Sequence, residues 1–89
     1  RHAIRSEIRV ITSELAVDLA RIPGLNTWTH EDLSVLSSLM VNSMISIAEA
    51  TEDASDPAAI EDIRRTAVRQ LRMILIGVVN WRSGEPAAQ

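Results

Sequence analysis

The strongest constraint on this fold is the spacing of apolar residues through the last third of the chain. After Asp56, apolar residues recur at intervals of 3, 4, 4, 3, 4 and 3, which is the repeat of one helix face. Asp56 can cap the first turn, and Pro57 suits the first helical position because its missing N–H is not needed there. We therefore predict a long helix from Pro57. The residues of the repeat are Ile60, Ile63, Ala67, Leu71, Ile74, Val78 and Trp81.

Two earlier segments show the same periodicity. The first runs from about His2 to Ile22, where Pro23-Gly24 ends it, since Pro cannot continue the helix and Gly accepts a left-handed cap. The stripe of this helix is Ile4, Ile8, Ile11, Leu15, Leu19 and Ile22. The connection to the next helix spans about six residues, and such short connections favour antiparallel neighbours.

The second helix begins after Thr29, a good N-cap residue, and is followed by a connection of about four residues before the third. Apolar residues lie on more than one face of this helix, so we expect two of its sides to be covered. Its main stripe is Leu33, Leu36, Met40, Met44 and Ile47, with Val35, Leu39, Val41 and Ile45 on other faces. The sequence thus predicts an all-α fold of three long antiparallel helices in one domain, residues 1–84, followed by a flexible tail, residues 85–89.

Composition limits the chemistry of the chain. Phe, Tyr, Cys and Lys are absent, and all nine cations are Arg, so disulfides, zinc–thiolate sites and lysine amine chemistry are excluded. His2 and His30 are the only imidazoles, and neither has further ligands or a nucleophile at a suitable spacing. We expect no catalytic residue, no metal site and no cofactor.

A group of arginines in the third helix is the one candidate for phosphate or nucleic-acid binding. Glu61 and Asp62 precede Arg65 by four and three residues, which is typical of a solvated helix face. The chain also has a pI near 5.2 and no aromatic residue beside the group. A solvated face is therefore favoured over nucleic-acid contact. The arginines are Arg64, Arg65, Arg69 and Arg72.

The apolar content indicates a partner. Apolar residues make up 46% of these 89 residues, and a chain this short buries only about 60 to 65% of its extended surface when it folds alone. The surplus is concentrated on the second helix and on residues 72–81 of the third. We expect a second copy of the chain to dock on these two helices.

Two local features allow alternative interpretations. Met40, Ser43 and Met44 can line a pocket for an apolar ligand, or can be ordinary core residues at a helix–helix seam. Gly77 lies inside the most apolar helix, where it costs about 1 kcal/mol relative to Ala. It can admit a helix of a second subunit, or Trp81 or its symmetry mate, or else mark a bend in the helix.

Residues 69–83 resemble the last helix of the C-terminal regulatory domain of TetR-type transcriptional regulators, an apolar helix that contains Gly and is followed by Trp-Arg. The preceding order, with a long helix, a loop and a helix opening after Trp28-Thr29, is also similar. The resemblance implies a homodimer in which the last two helices form a four-helix bundle with a second subunit. The interface candidates are Leu71, Ile74, Leu75, Gly77, Val78 and Trp81, and the candidates for a pocket that takes a small apolar effector are Leu15, Leu19, Met40, Ser43 and Met44.

In that family an N-terminal helix-turn-helix binds the operator, and ligand entry changes the spacing of the two DNA-reading heads. No helix-turn-helix is found in this sequence, so DNA contact is expected only through a preceding domain. The start at Arg1 leads us to expect a segment of a longer protein. Two alternatives stay open: a small helical dimeric enzyme of the chorismate mutase type, and a ligand-free helical dimerisation module.

No signal peptide is expected, because charged residues interrupt the N-terminal segment. The longest uninterrupted apolar run is the seven residues from Met73 to Val79, compared with about 20 needed to cross a bilayer. We therefore expect a cytoplasmic protein with no membrane contact.

Overall fold

Three α-helices make up most of the chain. The computed structural model describes residues 2–85, with side chains from Glu7 onward, and within that range there is no β-strand. The helices are α1, His2–Leu19, α2, His30–Asp53, and α3, Pro57–Asn80. The prediction of an all-α chain with three helices is confirmed. Of the predicted tail, residues 86–89 lie outside the described range, while the Glu85 N–H donates to the Arg82 carbonyl at 3.4 Å.

Helix α1 ends three residues earlier than predicted. The Ala20 N–H still bonds to the Ala16 carbonyl, but Arg21 and Ile22 donate to carbonyls only three residues back. A proline disfavours helical geometry in the residue before it, so the chain tightens into turns before Pro23. Gly24 follows with φ +92°, a left-handed conformation that glycine adopts readily.

The first half of α2 packs on α1. Residues 2–41 and 82–85 form one compact unit, whose core is Ala16, Leu19, Leu25, Leu33, Leu36, Val41 and Ser37. The predicted stripe of α1 is wrong at Ile11 and Ile22, which are 54% and 46% exposed. Thr12 and Ala16 take the inward positions instead, because small side chains let two helices approach closely.

One side of α2 is covered in this unit, by packing around Leu33, Leu36, Ser37 and Val41. Cover on a second side of the helix stays a prediction, since Val35 and Leu39 are exposed in the single chain. Within this unit, α1 packs against only one face of α2, so the apolar residues on the other faces of α2 are not covered there.

Residues 42–81 form a second compact unit, a helical hairpin made of the second half of α2 and α3. The predicted start of α3 is confirmed: Asp56 is the N-cap, its carboxylate accepts the Ala59 N–H at 2.8 Å, and Pro57 occupies the first turn. The half-buried face of α3 carries Ala59, Ile63, Ala67, Gln70, Ile74 and Val78. No residue of α3 is buried.

Candidate functional site

Helix α3 carries an exposed apolar stripe. Four residues at spacings of 3, 4 and 4 lie on one outer face, and all four are exposed. The exposed fraction rises from 36% at Val68 to 81% at Val79. This outer stripe, Val68, Leu71, Leu75 and Val79, adjoins the half-buried face, since Leu71 lies only about 20° around the helix from Val78. Helix α3 therefore has a half-buried face inside the hairpin and, next to it, an apolar stripe open to solvent.

The predicted interface residues are divided between these two faces. Leu71 and Leu75 lie on the outer stripe and are 56% and 61% exposed, whereas Ile74 and Val78 lie on the half-buried face. Trp81 follows the helix as its C-cap and is 56% exposed, with its N–H donating to the Val78 carbonyl. Leu71, Leu75 and Trp81 are therefore exposed to solvent in the single chain.

Gly77 lies away from the outer stripe, at the edge of the half-buried face beside Gln70. At about 100° per residue, it is roughly 160° around the helix from Leu75. A Cβ atom added to Gly77 would meet nothing within 4 Å beyond its chain neighbours and the backbone of its own helix. The interpretation that Trp81 of the same chain packs over Gly77 is therefore wrong, and approach by a second subunit stays a prediction.

The predicted pocket residues fall in both units. Leu15, Leu19 and Met40 belong to the first, where Leu19 is buried and the other two are half-buried. Ser43 and Met44 belong to the second, where Ser43 is half-buried and Met44 is 66% exposed. The first three therefore lie in the α1–α2 unit, at or next to its core.

The structure has a polar cluster at the start of α2 that the sequence does not predict. The Ser83 Oγ accepts the Thr29 N–H at 2.8 Å and donates to the Asp32 Oδ2 at 2.6 Å. The Gly84 N–H donates to the same carboxylate oxygen at 3.3 Å, and the Asp32 N–H donates to the Thr29 Oγ1 at 3.1 Å. Thr29 and Asp32 carry a local capping signal, but nothing near them in sequence points to a partner more than 50 residues away.

The arginine group of α3 is exposed to solvent. Arg64, Arg65, Arg69 and Arg72 are all exposed. Arg64 binds Glu61 through two bonds, Nε to Oε2 at 3.0 Å and Nη2 to Oε1 at 2.6 Å. These bonds lower the pKa of Glu61 and raise that of Arg64.

Metal and membrane chemistry have little support in the described residues. No group of three or more His, Asp or Glu side chains among them is placed to hold a metal ion. Helix α2 is the one described helix that is long and apolar enough to cross a membrane by length and composition. Core helices of soluble proteins and signal sequences share these properties, so the absence of membrane contact stays a prediction.

Compared with protein-family models, with curated proteins and with solved structures, the chain matches none of them. The described residues are all-helical, and the exposed apolar stripe of α3 is the feature that a function has to explain.

Proposed function

We propose that this chain is a homodimerisation module that docks through α3, and that it forms the dimerisation and effector-binding portion of a TetR-type transcriptional regulator. The observation that carries the proposal is that α3 buries none of its residues and exposes the outer stripe Val68, Leu71, Leu75 and Val79. Monomeric proteins rarely expose contiguous apolar patches of more than a few hundred Å², and larger patches mark interaction sites.

The outer stripe fits a second copy of itself. Its order, Val-Leu-Leu-Val, reads the same in both directions at nearly equal spacing. In a two-fold symmetric dimer each contact occurs twice, with residue i against j and j against i. Two antiparallel α3 helices would pair Val68 with Val79 of the second copy and Leu71 with Leu75. This match favours a second copy over an unrelated apolar partner.

Substitution of Leu75 by Glu tests the proposal. The change places an unpaired carboxylate in each of two symmetric contacts, and an uncompensated buried charge costs about 3–5 kcal/mol, so self-association should weaken at least about 100-fold. Sedimentation equilibrium over a micromolar concentration series measures the dissociation constant. A chain that remains monomeric throughout this series would sink the proposal.

The matched control is Met73→Glu. Met73 is 71% exposed on the same helix, and at about 100° per residue it lies roughly 160° from Leu75. Met73→Glu and Leu75→Glu change the charge and the helix propensity equally. Because Met73 lies away from the outer stripe, Met73→Glu should change self-association little. An equal loss in both variants would mean that net charge, rather than the outer stripe, controls association.

Gly77 tests whether a second face of α3 also docks. Within the chain Gly77 faces open space, so Gly77→Leu should leave the hairpin intact. If a helix of the second subunit approaches there, as the TetR-type interface implies, the variant should weaken association. Unchanged affinity would restrict the interface to the outer stripe.

The regulatory part of the proposal places the effector near Leu15, Leu19 and Met40. Ligand entry would shift these helices and change the spacing of DNA-reading heads carried by a preceding domain. A helix-turn-helix encoded directly upstream of Arg1 would support this assignment, and its absence there would count against it. Thermal unfolding with a panel of apolar ligands tests the pocket, because a ligand that binds the native state raises the unfolding temperature.

A ligand-free dimerisation module is the second candidate. It is favoured by Met44, which is 66% exposed although it was predicted to line the pocket. Both candidate functions predict self-association through the outer stripe, but only the regulatory one predicts that an apolar ligand raises the unfolding temperature. Stabilisation by any apolar ligand that is lost in Leu15→Trp would support the regulatory assignment, whereas an unresponsive panel would favour the ligand-free module.

A further inference from the structure

The residues that follow α3 reach back to the start of α2. Residues 82–85, which we call the strap, form a turn. The Glu85 N–H donates to the Arg82 carbonyl at 3.4 Å, and the side chains of these two residues form an ion pair at 3.8 Å. In this turn Gly84 has φ +86°, which an L side chain rarely adopts. The strap therefore depends on glycine at this position.

The bonds between strap and helix share atoms. The Ser83 Oγ is at once the acceptor for Thr29 and a donor to Asp32, and the Asp32 carboxylate oxygen also accepts the Gly84 N–H. The Asp32 N–H in turn bonds to the Thr29 Oγ1. Hydrogen bonds linked in this way polarise one another, so breaking one weakens its neighbours.

We propose that the strap and the first turn of α2 open and close together as one cooperative element, with Ser83 acting as a long-range cap for α2. Thr29 alone caps the helix through its side chain, and Ser83 adds a partner for the Thr29 N–H itself. When the strap opens, this N–H and the Asp32 carboxylate lose their partners in the strap together. The proposal is independent of whether α3 pairs with a second copy.

Amide hydrogen exchange, measured residue by residue by NMR on the full chain, tests this coupling. The decisive amide is that of Asp32, because its acceptor, the Thr29 Oγ1, is left intact by substitutions in the strap. We expect Ser83→Ala and Gly84→Ala each to raise Asp32 exchange about fivefold or more. A left-handed backbone costs an L residue about 1–2 kcal/mol, equivalent to roughly 5- to 30-fold in the opening equilibrium.

The control is Ser55→Ala, an exposed serine in the connection between α2 and α3, which should leave Asp32 exchange unchanged. The proposal is overturned if Ser83→Ala affects only Thr29 and Gly84→Ala affects only its own amide, since the bonds would then be independent. Two strap variants are used so that the test stands if one of them fails to fold. The same exchange measurements are repeated in a Leu75→Glu background, in which self-association should be weakened. The coupling in the strap is thereby tested independently of the dimer proposal.

Discussion

Replacing Ser37 by alanine should lower stability by a small, calculable amount. Its side chain is fully buried, and its Oγ donates to the Thr12 carbonyl at 2.6 Å, joining α2 to α1. That carbonyl lies within α1, where the helical pattern supplies a second donor, so the substitution leaves no buried acceptor without a partner. The loss is then one net hydrogen bond, about 1 kcal/mol, partly offset by the higher helix propensity of alanine.

Leucine at the same position tests how closely the two helices approach. If Ser37 and Ala16 allow close packing, a larger side chain forces the helices apart, and overpacking costs about 1–3 kcal/mol in addition to the lost bond. If the site instead has spare room, burying the leucine should stabilise the chain by about 1.5–3 kcal/mol. The two interpretations differ in sign, so the measurement decides between them.

The assay is thermal and urea unfolding followed by circular dichroism at one protein concentration. For a domain of this size 1 kcal/mol shifts the midpoint by about 4–8 °C, so Ser37→Ala should unfold several degrees lower and Ser37→Leu lower still. Ser46→Ala, an exposed change on the same helix, isolates the propensity effect. Equal midpoints for Ser37→Ala and Ser46→Ala would refute the stabilisation assigned to the Ser37 hydrogen bond, and a stabilised Ser37→Leu would refute the close packing of α1 on α2.

Three further changes test local features. Asp56→Ala removes the acceptor of the Ala59 N–H and should cost about 1 kcal/mol in urea unfolding, which Asp56→Asn should largely restore. Gly24→Ala should cost about 1–2 kcal/mol through its φ of +92° alone, because its Cβ meets no atom within 4 Å; an unchanged midpoint would contradict this. The folded-state pKa of Glu61 lies below its unfolded value, so its pair with Arg64 stabilises above the unfolded pKa and is lost as pH falls through the folded one. Any difference between Glu61→Gln and the parent chain should therefore vanish in acid and shrink in 1 M salt, and a difference that persists in both would exclude this pair as its source.

The helices were predictable because their signals are local. Apolar spacing, Asp56 before Pro57 and the Pro23-Gly24 break each act within a few residues, so they need no knowledge of the rest of the chain. The inward face of α1 was not predictable in the same way. Hydropathy ranks Ile11 above Thr12, but the packing of α1 on α2 depends on small side chains such as Ala16, and that preference belongs to the pair of helices.

The strap illustrates a second limit. Its turn contains Gly84, which is also the last residue of the predicted domain, residues 1–84. The sequence does not indicate that Ser83 bonds to Thr29 and Asp32, because these bonds depend on how the more than 50 intervening residues fold. Long-range caps become visible only when the fold is known.

The candidate interface shows why hydropathy alone could not separate folding from association. Ile74 and Leu75 are adjacent and equally apolar, and the sequence assigns both to one interface. In the folded chain Ile74 is half-buried inside the hairpin, whereas Leu75 is 61% exposed. Because adjacent residues on a helix point about 100° apart, one of them can stabilise the single chain while the other is available to a second copy. The apolar surplus of α3 is therefore divided between a half-buried face, which the hairpin covers, and the exposed outer stripe, which the proposed dimer would cover.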